Sequence, residues 1–351
     1  MLKLYHTSDV HIGVQNRYFG DEFLDIQKKF LNILFDDAVK EDVKYIVIAG
    51  DLFDSNFIPS KIANEIFEIF LNYKEINTII IPGGGIRTSE GISGHDAYVA
   101  RSIYRRPDIE IFLKEPNIHL LTPDNPTTKI DDVAFYAGFF DIPKVEKLDG
   151  MYHIAVVHGC FSDHPRENEI SISSLEDTFF DYICLGHYHF YKKFHKSAYS
   201  GSLVQFEFLK AKDATSGYVE VKIADSIDIN YIFFDNAPRF LKMDILNKED
   251  LEFIKNIDNN TYIQITGYSK ELEDKISEFI SQNIVLSDYP VIYERDEIYE
   301  LIENSLDEIL FKLCNELNSN IDEIREFILN NLNGNLTKPA IEEYLQTRFD
   351  I

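Results

Sequence analysis

The chain has 351 residues, a formal charge of −26 and 45% hydrophobic content. That length predicts a large domain plus a smaller one, and the hydrophobic share is ample for a packed core. The acidic balance excludes broad, unspecific adhesion to nucleic acid or anionic membrane and leaves room only for a local basic groove. Cys160, Cys184 and Cys314 share no metal-type spacing and read as thiols of a reducing compartment. With no leader-like segment and no apolar run long enough to span a bilayer, a cytoplasmic protein with no membrane partner is expected.

In chain order, Leu2–Thr7 predicts a strand that ends at Ser8-Asp9-Val10-His11-Ile12-Gly13. Asp9 and His11 are two apart and would face one side of extended backbone; carboxylate with imidazole suits Zn, Mn or Fe, although a solvated turn can show the same residues. Asp21–Val39 has helical periodicity, with Phe23, Ile26, Phe30, Leu31, Leu34 and Ala38 on one side. Tyr45–Ile48 is a run with no charge, which predicts a strand of a parallel sheet buried on both faces. It stops at Gly50, and Asp51 follows, a carboxylate that is costly there unless something receives it. Ser60 reads as the N-cap of a helix carrying Ile62, Ile66, Phe67 and Phe70, and Thr78–Ile81 as the next strand. Gly83–Gly94 reads as a mobile glycine-rich loop without P-loop spacing, and Tyr98–Arg106 as a short helix with a basic side.

Further strands are expected at Ile118–Leu121, Val133–Phe139, Ile154–Val157, Tyr182–Leu185 and Tyr218–Ile223. Two of them end in histidines, His158 before Gly159 and His187 with His189 after Gly186. The pattern shifts near Pro238, which predicts one domain over residues 1–237 and an α+β unit over 238–297. That unit would contain strands Tyr262–Thr266 and Val291–Glu294 and a helix at Glu271–Ile280. A helical tail is expected over 298–351, with Leu301, Ile302, Leu306, Ile309, Leu310 and Leu313 spaced for one face, packed on the protein's own cap or on a partner helix.

Asp9/His11, Asp51, His158 and His187/His189 thus lie at four separate strand ends. If one sheet edge gathers them, they offer two carboxylates and four imidazoles, a set suited to two adjacent divalent cations. The ordered series Asp9-Val10-His11, Gly50-Asp51, His95-Asp96, His158-Gly159 and Gly186-His187-Tyr188-His189 resembles the calcineurin-like metallophosphoesterases over roughly Leu2–Ile223. Within that family, Gly50-Asp51-Leu52-Phe53-Asp54 with Pro59, the Tyr199-Ser200-Gly201-Ser202 segment and the trailing α+β unit look like SbcD-type DNA-repair nuclease subunits.

The resemblance implies an α/β fold: a four-layer α/β/β/α sandwich core, a small α+β capping domain and a helical C-terminal tail. It implies two divalent metal ions, manganese first, with iron or zinc as alternatives. Asp9, His11, Asp51 and His189 would hold one, and Asp51, His158 and His187 the other, with Asp51 bridging. Water between the ions would attack phosphorus in line, and His95, oriented by Asp96, would protonate the leaving oxygen. The activity implied is that of a DNA exonuclease or endonuclease, with DNA ends, an SbcC-like coiled-coil ATPase and a second copy of the chain as partners. Arg101, Arg105, Arg106, Lys192, Lys193 and Lys196 are the candidate DNA contacts or, equally, a solvated face. Hydrolysis of a small phosphoester, and a scaffold that has lost its chemistry, are the alternatives. The sequence departs from the family where an asparagine ligand is expected, since Gly84 or Gly94 takes its place; Asp54 replaces the histidine of archaeal and eukaryotic nucleases.

Overall fold

The computed structural model describes residues 1–293 except 85, 89–90, 163–164, 166–168, 211–212 and 282. The expected tail and Cys314 lie outside the described residues. The described residues form two compact units, 1–241 with 260–262, and 242–259 with those from 263 to 293.

The first unit contains two six-stranded sheets. In the first sheet, β1 (Leu2–Thr7), β2 (Tyr45–Ala49), β3 (Asn77–Ile81) and β4 (Ile118–Leu120) are parallel. In the second, β5 (Thr127–Ile130) pairs antiparallel with β6 (Val133–Phe139), which continues in parallel through β7 (Tyr152–His158), β8 (Tyr182–Gly186) and β9 (Ser197–Tyr199). The far edge of the first sheet is an antiparallel pair, β10 (Gly217–Ile223) and β11 (Ile227–Phe233), with β10 lying beside β1.

Side-chain alternation builds the layers. Tyr45, Val47 and Ala49 of β2 and Ile79 and Ile81 of β3 meet Phe135 and Ala137 of β6, Ile154 and Val156 of β7 and Tyr182 and Cys184 of β8. The residues between them, Ile46, Ile48 and Ile80, turn to the helices α1 (Glu22–Lys40) and α2 (Ser60–Asn72). Both faces of the strands are therefore dry, which explains the uncharged runs in the sequence. Phe35, Phe67 and Phe70 are fully buried on the helix side, each contributing about 1.5–3 kcal/mol of burial. On the outer face of the second sheet, Ala155, Val157, Ile183 and Leu185 are covered by Phe161, Ile172, Leu175 and Phe180. Among the described residues this fourth layer is thin, with a single 3-10 turn, Ile172–Leu175, where the first sheet has two long helices.

Several local expectations are corrected. Ser60 is the first helical residue and not the cap; Pro59 holds that position, and Ser60 Oγ accepts from Arg106 Nη2 at 2.6 Å. Residues Tyr98–Arg106 form bends and a 3-10 turn, Ile103–Arg105, because Pro107 forces Arg106 into extended backbone. The glycine-rich segment contains a two-stranded ladder, Ile86–Thr88 with Gly91–Ser93. The strands Thr127–Ile130 and Ile227–Phe233 were not expected.

The second unit is entered along β12 (Arg239–Ile245). Its helix α3 (Lys248–Lys255) begins with a capping box between Asn247 and Asp250. β13 (Thr261–Ser269) and β14 (Ile284–Tyr293) pair in parallel, joined through a short helix, Glu273–Phe279. No described helix is long and apolar enough to cross a membrane.

Candidate metal centre

The parallel strands of both sheets release their chains at one edge. Past β1 and β2 the ladder continues through the loops: Asp9 N–H donates to Gly50 O at 3.0 Å and His11 N–H to Asp51 O at 2.9 Å. Gln27, buried on the apolar face of α1, donates through Nε2 to Val10 O and His11 O at 2.7 and 2.9 Å and accepts from Gly13 N–H at 3.2 Å. One amide thus satisfies three backbone groups of the loop carrying Asp9 and His11.

Backbone strain concentrates here. Eight described non-glycine residues have positive φ, and five are Asp9, His11, Asp51, His95 and His187, at 49°, 48°, 50°, 33° and 112°. Such conformations cost about 1–3 kcal/mol each and persist where the surroundings over-determine them. Close approach demands two glycines. A Cβ on Gly50 would lie 2.2 Å from His158 Nδ1, and one on Gly83 2.0 Å from Asp51 Oδ1.

The structure brings the expected ligands together in two groups whose donor atoms lie within 4.8 Å of one another, Asp9/His11/His189 and the fully buried Asp9/Asp51/His158. His11 Nε2 and His158 Nε2 stand 3.6 and 3.3 Å from Asp51 Oδ2, and His189 Nε2 stands 3.7 Å from Asp9 Oδ1. Both His11 Nε2 and His158 Nε2 are buried without a hydrogen-bond partner. Their opposite nitrogens are committed: His158 Nδ1 donates to Ala49 O at 2.9 Å, and His11 Nδ1 meets Asp54 Oδ1 at 3.1 Å. Burial disfavours the charged form of His158, but Asp51 outweighs it and raises the ring to about 9. Without an ion the ring therefore carries a proton beside Asp51; a cation that displaced this proton would meet two aimed nitrogens and two carboxylates. This donor set fits divalent cations of the Mn, Fe and Zn type.

His187 enters differently. Its backbone N–H donates to both Asp9 oxygens at 3.2 and 3.0 Å, and its ring lies edge-on to His158 with centroids 5.3 Å apart. Burial, then the neighbouring His158, lowers its pKa to about 4, which leaves the ring neutral and able to donate a lone pair. Burial alone would raise the Asp51 carboxyl, but His158, then His11 and His95, hold it well below the usual range. Burial disfavours the charged form of His189, while Glu207, then Asp9, outweighs it and raises the ring.

His95 is a third exposed and reaches the same carboxylate, with Nε2 3.9 Å from Asp51 Oδ2. The expectation that Asp96 orients it is corrected: His95 Nδ1 donates to the carbonyl oxygen of Asp54 at 3.2 Å. Asp96 is fully buried and points the other way, accepting from Gly83 N–H at 2.7 Å, Phe53 N–H at 3.2 Å and Tyr104 Oη at 2.6 Å. Burial, then Asp51, raises its pKa to about 6. Its role is to pin the loops after β2 and β3 against each other.

Over residues 2–191 the sequence matches the family model of the calcineurin-like phosphoesterases. The chain belongs to this family. Solved structures with weaker likeness include TT1561 of Thermus thermophilus, at 12% identity and TM-score 0.42, covering 66% of this chain and 98% of that one. An archaeal phosphodiesterase gives 14% and 0.35, over 66% and 100% of the two chains. A putative 5'-nucleotidase from Staphylococcus aureus gives 14% and 0.39, over 67% and 55%. Values this low assign no substrate.

Where this phosphoesterase lacks the asparagine of its family's pattern, Gly84 places its backbone N–H 2.8 Å from Asp51 Oδ1, and Gly94 is exposed. A backbone donor thus steadies Asp51 at this point. Of the candidate DNA contacts, Arg106 is tied to Asp108, Ser60 Oγ and Ile58 O, and Arg105 to Asp124. Lys193 donates to Ile229 O and Lys196 to Thr178 O. Lys192 and Arg101 are exposed. Sequence reasoning missed Asp54, Glu207, Phe206 and Gln27 as parts of the site. Only Asp54, inside Gly50-Asp51-Leu52-Phe53-Asp54, carried a local signal.

Proposed function

We propose that the protein is a metal-dependent phosphodiesterase, manganese its first choice of ion, acting on DNA in the manner of the SbcD-type nuclease subunits. The observation that carries the metal-dependent part is the pair of buried, unpartnered nitrogens, His11 Nε2 and His158 Nε2, facing Asp51. Bound divalent ions would supply Lewis acidity toward a phosphoryl group and a water of lowered pKa. Asp9, His11, Asp51, His158, His187 and His189 would hold them. His95 keeps its ring aimed through the Asp54 carbonyl, so a protonated ring presents Nε2–H toward a leaving oxygen without giving up that bond. The SbcD-type reading rests on the motif resemblance and the trailing α+β unit; the segment that would meet an SbcC-like partner lies outside the described residues.

A second reading, hydrolysis of a small phosphodiester, is favoured by the engagement of Arg105, Arg106, Lys193 and Lys196 within the protein. The deciding experiment compares linear duplex DNA, single-stranded DNA and a chromogenic diester with Mn²⁺ at low salt. Shortened DNA supports the nuclease reading. Diester turnover with intact DNA supports the second, and no turnover of any substrate overturns both.

A further inference from the structure

An imidazole holds a metal through one nitrogen, and what its other nitrogen touches sets the ring's aim and basicity. Three rings of the centre are backed unequally. His11 Nδ1 lies 3.1 Å from Asp54 Oδ1 and His189 Nδ1 lies 2.6 Å from Glu207 Oε1. His158 Nδ1 is backed only by a carbonyl, Ala49 O, at 2.9 Å. The two carboxylate-backed rings group with each other and Asp9, and the carbonyl-backed ring groups with Asp9 and Asp51.

The backing is built into the fold. Phe206 fills the space beside both rings, with its centroid 4.8 Å from that of His11 and 4.9 Å from that of His189. Gln205, buried next to it, donates to Phe240 O at 2.6 Å and accepts from Phe240 N–H at 3.2 Å, and Asn16 Nδ2 donates to Phe206 O at 3.3 Å. Asp54 is fixed through its own N–H, which donates to Ile12 O at 3.1 Å. His11, Asp54 and His95 also have metal-type spacing. However, one ring serving two ions through both nitrogens would have to lose both protons, so Asp54 is better placed as support for His11 than as a ligand.

We propose that Asp54 and Glu207 are positioning residues that make the Asp9/His11/His189 position the tighter of two metal positions, filled before the Asp51/His158 position. A carboxylate behind an imidazole raises its donor strength and locks its tautomer, and a carbonyl does this less. The inference rests on reading the cluster as a two-metal centre and on no particular substrate.

The test is titration of the metal-free full-length protein with Mn²⁺, following free Mn²⁺ by electron paramagnetic resonance. Two classes of site at least about tenfold apart are expected in the unaltered protein. Asp54→Asn and Glu207→Gln weaken the tighter class by about ten- to a hundredfold and leave the weaker class unchanged. Asp54→Ala weakens it more than Asp54→Asn, whose amide oxygen still accepts from Nδ1–H. Glu207 is half-exposed, so Glu207→Gln keeps the test open if Asp54 variants unfold. A single class in the unaltered protein, equal weakening of both classes, or no weakening by Glu207→Gln overturns the proposal. Diester turnover measured in parallel separates the two readings. Two-step loading with the expected sensitivity but no hydrolysis sinks the phosphodiesterase reading alone, and an active enzyme whose sites ignore both substitutions sinks this one alone.

Discussion

At the residue scale, two histidines with opposite surroundings yield separate tests. His6 lies fully buried in β1 with Nδ1 3.0 Å from Tyr182 Oη, and burial pushes its pKa down to about 3. The unfolded ring takes a proton near pH 6.5 while the folded one refuses it, so the unfolded state binds more protons between about pH 6.5 and 3. Stability from this group therefore falls as pH drops through 6.5, at up to about 1.4 kcal/mol per unit. Replacing His6 by Phe removes that slope, while the orphaned Tyr182 hydroxyl adds a pH-independent cost of about 1–3 kcal/mol. Urea midpoints at pH 7, 6 and 5 read the result: the gap between the two proteins narrows as pH falls, and a constant gap refutes the assignment. His95 is the chemical counterpart. His95→Gln is expected to lower turnover by roughly 10²–10⁴-fold with Mn²⁺ content unchanged. Loss of Mn²⁺ in that variant would instead make His95 a ligand.

At the element scale, the site depends on how α1 and the loop after β3 hold the strand ends. Gln27 is the one buried polar side chain on an otherwise apolar helix face, and its amide serves Val10, His11 and Gly13. Gln27→Leu keeps the volume and strands those groups, at about 1–3 kcal/mol for each left unsatisfied. The expected outcome is a melting temperature lower by several degrees together with weaker Mn²⁺ binding. A drop in stability with unaltered metal affinity would show that the loop keeps its shape without the amide. Gly83 tests the other side. Its added Cβ would fall on the Asp51 carboxylate, so Gly83→Ala is expected to abolish Mn²⁺ binding at the Asp51/His158 position while the far-ultraviolet dichroism stays as it was.

For the whole molecule, the centre stores unfavourable contacts that a cation relieves. Asp9 and Asp51 are buried close together on strained backbone, and two imidazole nitrogens beside them lack hydrogen-bond partners. An ion that binds only the folded chain adds about 2.7 kcal/mol at a hundred times its dissociation constant. Saturating Mn²⁺ should therefore raise the melting temperature by several degrees, and a chelator should reverse the gain. Asp51→Asn should remove the response. Salt also separates the substrate classes. Cleavage of duplex DNA should fall steeply between 50 and 200 mM salt if phosphate contacts carry it, whereas a small diester should be nearly indifferent.

Much of the fold is legible in the chain because strands dry on both faces leave uncharged runs, and because Asp9, Asp51, His158, His187 and His189 each follow or end such a run. Parallel order then brings these ends to one edge, so the ligands can be read as a set from their order alone. Local sequence does not show partners that arrive from elsewhere in the chain. Gln27 looks like a polar interruption of a helix face until Val10 and His11 are seen beneath it. Glu207 looks like a surface acid until His189 lies 2.6 Å away. Asp96 adjoins His95 in sequence, which suggests a pair, yet at that bend, with His95 at φ 33°, the two side chains have separate partners. Which strand ends carry donors follows from the order of residues, since burial and chemistry act residue by residue. Which donors share a position, and what stands behind each ring, follows only from the folded chain. Tautomer and aim depend on contacts between segments up to a hundred residues and more apart, as His158 and Ala49 are.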